Sequence, residues 1–189
     1  MLDVDGVVVR GPPAFARLEA DLGLAPALLQ AAFFDVYWPQ IVIGRDALAP
    51  RLAAVLADIA PGLAAETLIA YWFENDAELD AALLAAVADL RRRGHRVLLA
   101  TNQEHRRARY LMDDLGLGAQ VDGIVYSAAL GCRKPMPEFY RRATAAAGVP
   151  PDRIVLVDDL AANVDAARAA GWQAHLWTAA ERLETLLGW

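Results

Sequence analysis

The sequence predicts an α/β protein with an open parallel sheet and an all-helical insertion, and two observations lead to this prediction. First, from about residue 96 onward, short apolar runs rich in β-branched residues alternate with helical patterns. This alternation is typical of a parallel sheet whose right-handed crossovers place helices on both faces. Second, residues 13 to 93 carry several helical patterns and no convincing strand. We therefore expect a helical insertion, from about residue 12 to residue 80, after the first strand.

The elements of the first part follow from the spacing of apolar residues and from the residues that end each run. A short apolar strand continues over Asp5–Val9 before the insertion begins. Trp38-Pro39 and Pro61-Gly62 are predicted turns, and Asp46 and Asp76 are predicted helix N-caps. The expected helices, the last of which rejoins the sheet, are Ala14–Leu22, Pro26–Asp35, Asp46–Ile59, Glu66–Phe73 and Asp76–Arg93.

The second part of the chain is predicted to supply the rest of the sheet. The expected strands are Arg96–Ala100, Gly123–Tyr126, Arg153–Val157 and Ala174–Trp177. Glycine ends or follows each of the helices, which are Gln103–Leu115, Pro137–Ala147, Ala161–Ala170 and Ala180–Leu187. The sequence therefore divides into an α/β core, residues 1–11 and 81–189, and a helical insertion, residues 12–80.

Length, composition and charge limit the classes of function. The chain has 189 residues, of which 57% are hydrophobic and 22% charged, and this predicts one folded globular domain with an insertion. With 18 basic and 24 acidic residues the net charge is −6, which leaves no footprint for nucleic acid or an anionic membrane. The apolar runs fall short of the roughly 20 residues of a membrane helix. A single cysteine and an opening segment without the pattern of an export signal predict a cytoplasmic protein with a small-molecule partner.

Two carboxylates lie near the start of the chain. Asp3 and Asp5 are two residues apart in an extended segment, so we expect both on the same side of it, and Gly6 ends the run. Like charges held close together raise the pKa of one of them, which suits an ionised nucleophile beside a protonatable acid or base. The alternative interpretation is a pair of surface aspartates at a strand end.

Polar residues also follow the later strands. Thr101 and Asn102 close an apolar strand ahead of a helix, where they either bind an anion or cap the helix. Lys134 lies in a loop that Pro135 stiffens, where it is either a fixed cation or a solvated charge, and Arg133 is an alternative cation.

A further acidic pair follows the next apolar strand. Burying both Asp158 and Asp159 there costs free energy unless a cation meets them, although one aspartate alone suits a helix N-cap. Asn163 follows in the next helix. Because ligands of such sheets bind at the carboxyl ends of the strands, we expect all these groups to converge there. Carboxylate, hydroxyl, amide and lysine groups together predict a Mg²⁺ site beside a phosphoryl site.

Four short motifs carry a resemblance to a known family. In chain order they are Asp3-Val4-Asp5-Gly6-Val7, Leu99-Ala100-Thr101-Asn102, Gly131-Cys132-Arg133-Lys134-Pro135, and Val157-Asp158-Asp159 with Asn163. Over essentially the whole chain they resemble the haloacid dehalogenase-like hydrolase superfamily, and the insertion is similar in position and size to that family's helical cap. The last two motifs look most like the branch that contains bacterial sugar-1-phosphate phosphatases and the phosphatase domain of bifunctional epoxide hydrolases.

The resemblance implies a Rossmann-like core with a helical cap and a role for each motif. Asp3 would attack phosphorus to form an aspartyl-phosphate, and Asp5 would protonate the leaving alcohol and then activate water. The phosphoryl group would be bound by Thr101, Asn102 and Lys134. Mg²⁺ would be held by Asp3, the Asp5 main-chain carbonyl and Asp159, with Asp158 and Asn163 supporting the site from behind.

The function implied by the resemblance is Mg²⁺-dependent hydrolysis of a small phosphorylated metabolite, a sugar phosphate first, by a monomer or homodimer. Dehalogenases of the family lack an aspartate two residues after the nucleophile, so Asp5 favours phosphate chemistry. Two alternatives are a phosphotransferase of the sugar phosphomutase type and a non-catalytic binding module with a clipped first strand. The second arises because only Met1 and Leu2 precede Asp3, and we expect the true start of the protein to lie upstream.

Overall fold

The computed structural model describes residues 1–178 and 182–188 and contains a parallel β-sheet. Its strands are β1 (Leu99–Thr101), β2 (Ile124–Tyr126), β3 (Val155–Asp158) and β4 (Gln173–Leu176). β1 pairs with β2 and β3 with β4, both in parallel. Leu2 lies between the two pairs and bridges to Leu99 and Val157, which gives the order β2, β1, Leu2, β3, β4. The predicted α/β architecture with an open parallel sheet is confirmed.

Helices surround the sheet and fill the insertion. In the insertion they are α1 (Leu18–Leu22), α2 (Pro26–Leu29), which continues as a π-helix over Gln30–Phe34, α3 (Trp38–Ile41), α4 (Leu48–Ile59) and α5 (Ala65–Asn75). The chain returns to the sheet through α6 (Ala81–Arg92). The remaining helices are α7 (His105–Met112), α8 (Ser127–Leu130), α9 (Pro137–Ala147), α10 (Ala161–Ala169) and α11 (Leu183–Leu187), with 3-10 turns at Leu117–Ala119 and Pro151–Arg153.

The segment Asp5–Val9 is a tight turn, so its prediction as a strand is wrong. Gly6 has φ of 77°, in the left-handed region that glycine adopts at low cost. The Val4 carbonyl accepts hydrogen bonds from the N–H groups of Val8 and Val9, each at 2.8 Å. The chain therefore reverses immediately after Asp5, and this reversal sends it away from the sheet edge into the insertion.

The two connections of the insertion run side by side. Val9 forms an antiparallel bridge with Leu79, and the Asp80 N–H donates to the Val8 carbonyl at 2.9 Å. Arg10 adds an ion pair of 2.8 Å to the Asp80 carboxylate. The insertion therefore leaves and re-enters the sheet domain at one place.

Two predicted N-caps and one predicted turn are corrected. α5 continues to Asn75, so Asp76 follows that helix, and Asp80 caps α6 by accepting the Leu83 N–H at 2.9 Å. Asp46 precedes the N-cap residue Ala47 of α4 and makes no capping bond of the predicted kind. Trp38-Pro39 begins α3, because proline is compatible with the first turn of a helix. Pro61-Gly62 is a turn, as predicted.

Three apolar clusters stabilise the structure. Leu99 and Val157 lie in one sheet cluster and their neighbours Ala100 and Leu156 in the other, because successive strand residues point to opposite faces. The insertion has its own core, which includes Phe33 and other buried residues of α1 to α5. The two faces of the sheet and the insertion therefore each bury apolar surface of their own.

The predicted helix Ala180–Leu187 begins outside the described residues, and its described part is α11. Over residues 1–178 and 182–188, none of the helices combines the length and the hydrophobicity needed to cross a membrane.

Candidate active site

The structure brings the predicted polar residues together at the carboxyl ends of the strands. Asp3 directly follows Leu2 in the centre of the sheet, Thr101 ends β1 and Asp158 ends β3. Parallel strands place these ends at one edge, as the sequence predicted. A separate cavity of about 590 Å³ lies at the opposite, amino edge, beside Met1 and Val97. The predicted site residues therefore lie at the carboxyl edge and do not line that cavity.

Lys134 is the cation of this edge. It is 2% exposed, and its Nζ lies 2.9 Å from Asp3 Oδ2 and 2.6 Å from Asp158 Oδ2. The neighbouring Arg133 is exposed. Of the two cations that the sequence offered, only Lys134 contacts the buried carboxylates, and burial of both partners means that water screens the interaction little.

The side chain of Asn102 holds the Lys134 loop. Its amide Nδ2 donates to the Lys134 carbonyl at 3.0 Å, and its Oδ1 accepts the Lys134 N–H at 2.8 Å. Both ends of the amide are therefore engaged by main chain in this structure. The contact of Asn102 with a phosphoryl group stays a prediction, and the engagement of its side chain leaves its main-chain N–H for such a contact.

Asp158 is fully buried and has hydrogen bonds to both carboxylate oxygens. Oδ2 faces Lys134, and Oδ1 accepts the Leu160 N–H at 3.0 Å and the Asn163 Nδ2 at 2.9 Å. Asn163 is itself held, because the Tyr140 hydroxyl donates to its carbonyl at 2.8 Å. These bonds compensate the burial of the charge and fix the direction in which Asp158 holds Lys134.

Opposing effects act on the protonation of Asp3. Burial raises its pKa to about 7, and the charges of Asp158 and Asp5 add to the rise while the Lys134 ammonium opposes it. Asp3 Oδ1 also accepts the Val4 N–H at 2.7 Å. The carboxylate is therefore held in one orientation, and its ionisation depends on the cations around it.

Asp5 reaches solvent but is held by Gln103, a residue that sequence reasoning missed. Gln103 is buried, and its Nε2 donates to Asp5 Oδ2 at 2.7 Å and lies 3.5 Å from Thr101 Oγ1. Loss of hydration raises the pKa of Asp5 to about 6, and the nearby Asp76 carboxylate adds to the rise. Its ionisation therefore differs from that of an ordinary surface aspartate. The only sequence signal for Gln103 was its position just after the strand-ending Thr101 and Asn102.

Three carboxylates form a group with the chemistry of a divalent cation site. Asp3, Asp158 and Asp159 each offer one oxygen, and these oxygens lie within 4.8 Å of one another. Asp159 packs against Gly6, where a Cβ would lie 2.3 Å from its Oδ2. Three carboxylates against one lysine leave excess negative charge, and oxygen ligands are those that Mg²⁺ prefers. The donor set therefore fits the predicted ion. It includes Asp158, which sequence reasoning placed behind the site.

Most of the chain is similar to known proteins of one family. The family description "haloacid dehalogenase-like hydrolase" matches residues 1–171. A phosphoglycolate phosphatase from Cupriavidus necator is 32% identical over 185 residues, which cover 90% of this chain and 76% of that protein. A phosphoglycolate phosphatase from Pseudomonas putida is 31% identical over 183 residues, covering 92% and 66% of the two chains. The chain thus spans about two thirds to three quarters of the length of these relatives.

Solved structures share the fold at low identity. A wild-type HAD family enzyme from Bacteroides thetaiotaomicron, in complex with magnesium and inorganic phosphate, has a TM-score of 0.78 and 16% identity, covering 98% of this chain and 96% of that one. An L-2-haloacid dehalogenase from Xanthobacter autotrophicus has a TM-score of 0.68 and 18% identity, covering 98% and 79%. Likeness at 16% and 18% identity shows the fold alone, so the reaction has to be argued from the site.

Proposed function

The chain belongs to the haloacid dehalogenase-like hydrolase family, and from that premise we propose that it is a Mg²⁺-dependent phosphatase that hydrolyses a small phosphomonoester through an aspartyl-phosphate. The observation that carries the proposal is the buried Lys134, which pairs with Asp3 while Asp5 lies two residues further on. A nucleophilic carboxylate, a fixed cation and a second carboxylate for proton transfer are the groups that this reaction needs.

The first step makes and breaks one bond to phosphorus. An Asp3 carboxylate oxygen bonds to phosphorus as the bond to the alcohol oxygen breaks, and the leaving oxygen keeps the electron pair and takes a proton from Asp5. In the second step Asp5 accepts a proton from water, whose oxygen bonds to phosphorus and releases phosphate and the Asp3 carboxylate. The raised pKa of Asp5, about 6, suits a group that is protonated in one step and ionised in the next.

We propose that the phosphoryl group binds between the carboxyl end of β1 and the loop that contains Lys134. Thr101 Oγ1, the main-chain N–H of Asn102 and the Lys134 ammonium would bind its oxygens and stabilise the negative charge of the transition state. Asp158 and Asn163 hold Lys134 in place for this role. Lys134 therefore contacts the nucleophile Asp3 and would also bind the phosphoryl group during its transfer.

Mg²⁺ is proposed to bind through Asp3, Asp159 and the Asp5 main-chain carbonyl, with Asp158 near enough to contribute. When bound, the ion supplies positive charge that neutralises the phosphate and favours the ionised form of Asp3. The residues that contact the ion then also orient the nucleophile. Because Gly6 has no side chain, it leaves the space that the Asp159 carboxylate occupies, and the turn after Asp5 thereby allows Asp159 to reach the proposed metal site.

The helical cap and the substrate complete the proposal. We propose residues 12–80 as the cap and residues 1–11 and 81–189 as the catalytic core, supported by the cap's separate apolar cluster and its paired connections. The names of the relatives favour 2-phosphoglycolate as the first substrate to test. A sugar phosphate, the sugar-1-phosphate phosphatase branch, a cytoplasmic location and a monomer or homodimer stay predictions.

The proposal is tested by phosphate release from 2-phosphoglycolate, sugar phosphates, nucleotides and an aryl phosphate, with Mg²⁺ or with a chelator. We expect Mg²⁺-dependent release that Asp3→Asn abolishes while circular dichroism shows an intact fold. Phosphate transfer between sugar carbons on addition of a sugar bisphosphate would instead indicate a phosphotransferase. A folded protein that is silent on the whole panel would indicate a binding module and overturn the proposal.

A further inference from the structure

We propose that Gln103 is a positioning residue that holds the Asp5 carboxylate for proton transfer and that its own backbone is fixed by the seated cap. This inference rests on the proposed phosphatase function. Gln103 is 3% exposed and lies at the carboxyl end of β1, between the phosphate-binding Thr101 and α7. A buried amide side chain needs hydrogen-bond partners, and here the partner is a catalytic carboxylate.

The contact between Gln103 and Asp5 is short and directional. Nε2 donates to Asp5 Oδ2 at 2.7 Å and approaches Thr101 Oγ1 at 3.5 Å. A donor fixed on one carboxylate oxygen sets the orientation of the other oxygen, which is then the one available to exchange the proton. This is the hydrogen bond that the structure shows for the Asp5 carboxylate, so without the amide its side chain would gain rotational freedom.

The neighbouring charges do not provide this orientation. Asp76 and Arg107 act on Asp5 with opposite signs, and they are engaged with each other in an ion pair of 3.1 Å. Arg107 also donates to the Phe73 carbonyl at 3.0 Å, so its guanidinium is committed to the end of α5. The orientation of the Asp5 carboxylate is therefore set by the neutral Gln103 amide, which donates a hydrogen bond without adding charge.

The main chain of Gln103 is connected to the cap. Its carbonyl accepts the Ala128 N–H at 3.2 Å and lies 3.1 Å from Ser127 Oγ. The same Ser127 hydroxyl is within hydrogen-bond distance of the Val42 carbonyl of the cap. Gly44 packs so closely here that a Cβ would lie 2.6 Å from the Ala128 carbonyl oxygen. The cap loop thus rests on the segment that positions Gln103.

The chemistry of the leaving group separates this role from a general structural one. An alkoxide leaving group needs the proton of Asp5, whereas 4-nitrophenolate is a stable anion and departs without it. The ratio kcat/KM covers the steps up to departure of the alcohol, so it reports the protonation step. Misplacing Asp5 should therefore lower kcat/KM for alkyl phosphates far more than for 4-nitrophenyl phosphate.

The experiment measures kcat/KM with Mg²⁺ for 2-phosphoglycolate, glycerol 2-phosphate and 4-nitrophenyl phosphate. Gln103→Leu keeps the side-chain volume and removes the donor, and Gln103→Met removes the donor with an unbranched, uncharged side chain of similar length. We expect both variants to lower kcat/KM for the alkyl esters by about 10- to 100-fold and for the aryl ester by less than about threefold. Ser127→Ala, which leaves the donor in place but removes the hydroxyl between the Gln103 carbonyl and the cap, should lower kcat/KM for the alkyl esters relative to the aryl ester in the same direction, by a smaller factor.

Equal losses on alkyl and aryl esters, or an unchanged alkyl rate in a folded Gln103 variant, would overturn the inference. Thermal unfolding checks that each variant is folded, and Gln103→Met, which is unbranched like glutamine, serves if Gln103→Leu is not. A folded wild-type protein that releases phosphate neither from these three esters nor from the sugar phosphates and nucleotides of the wider panel would instead refute the proposed function itself. The two failures are therefore distinguishable.

Discussion

The Lys134 ammonium and the Asp3 carboxylate form a buried ion pair with 2.9 Å between Nζ and Oδ2. Burial favours the protonated form of Asp3, which is no nucleophile, and raises its pKa to about 7. Lys134 opposes this rise, and Asp158 in turn fixes Lys134 at 2.6 Å. The pKa of Asp3 thus lies near neutral pH, so a bound cation can shift the carboxyl group to its ionised form.

Replacing Lys134 by alanine should lower both activity and stability. Loss of the cation that stabilises transition-state charge is expected to reduce kcat by about 10² to 10³. Breaking a buried pair leaves Asp3 and Asp158 facing each other, and we expect unfolding in urea to show a loss of about 3 to 5 kcal/mol. The matched control is Arg133→Ala, since Arg133 is the exposed neighbour. Similar losses in both variants would contradict the assigned role.

The ionisation of Asp3 should be visible in stability against pH. Because its pKa is raised from 3.8 to about 7, the folded protein keeps a proton between these values that the unfolded chain has lost. This proton binding stabilises the fold at low pH, and the contribution disappears as pH rises toward 7. We therefore expect the unfolding free energy of the wild-type protein, relative to Asp3→Asn, to fall from pH 4 to pH 7 and then level off.

Urea titrations with a chelator at several pH values provide this measurement. The comparison with Asp3→Asn is needed because burial also lowers the pKa of the Met1 amino group to about 5, which gives the opposite slope between pH 5 and its ordinary value of 8.0. That amino group is present in both proteins, so its contribution cancels in the difference. A difference that stays flat or rises with pH would show that the pKa of Asp3 is not raised.

Asp159 should set the affinity for Mg²⁺. Its carboxylate belongs to the group of three that fits the ion, so Asp159→Asn should raise the Mg²⁺ concentration for half-maximal activity by at least about 10-fold. The ion should also raise the melting temperature of the wild-type protein, because it binds only the folded state. The control is Asp165→Asn, whose side chain is 76% exposed on α10. An Asp159→Asn protein with unchanged Mg²⁺ dependence would contradict this assignment.

The convergence of the site could be predicted because the strand ends are visible in the sequence. Thr101 and Asp158 each follow an apolar run, and parallel strands bring such ends to one edge whatever the details of packing. The identity of the cation could not be predicted between Arg133 and Lys134. That choice depends on burial, and only the structure shows that Lys134 alone is enclosed.

Other features escaped prediction because their causes are distant in sequence or invisible in hydrophobicity. Val7 and Val8 are buried in a turn just as they would be in a strand, so their apolar character could not distinguish the two. Gln103 finds its partner Asp5 98 residues earlier in the chain. The partner of the Asn102 amide is the Lys134 main chain, 32 residues later. Local sequence suggested a helix cap or an anion ligand for Asn102 and gave no sign of that contact.

Gly6 should be required for the metal site more than for the fold. Gly6 and Gly23 have similar φ angles, 77° and 71°, so alanine at either position carries a comparable backbone strain of about 1 to 2 kcal/mol. They differ in surroundings, because a Cβ at Gly6 would lie 2.3 Å from Asp159 Oδ2 while nothing lies within 4 Å at Gly23. In Gly6→Ala the Asp159 side chain must therefore move away from Asp3 and Asp158.

The two variants separate strain from displacement of the ligand. Gly23→Ala is expected to lower the unfolding free energy by about 1 to 2 kcal/mol and to leave kcat and the Mg²⁺ dependence as in the wild-type protein. Gly6→Ala should lose a similar amount of stability and also require at least about 10-fold more Mg²⁺ for half-maximal activity. Phosphate release across a Mg²⁺ titration, together with urea unfolding, measures both effects. If Gly6→Ala kept the wild-type Mg²⁺ dependence, Asp159 could not be a ligand in the position that the structure gives it, because that position and the alanine Cβ exclude each other.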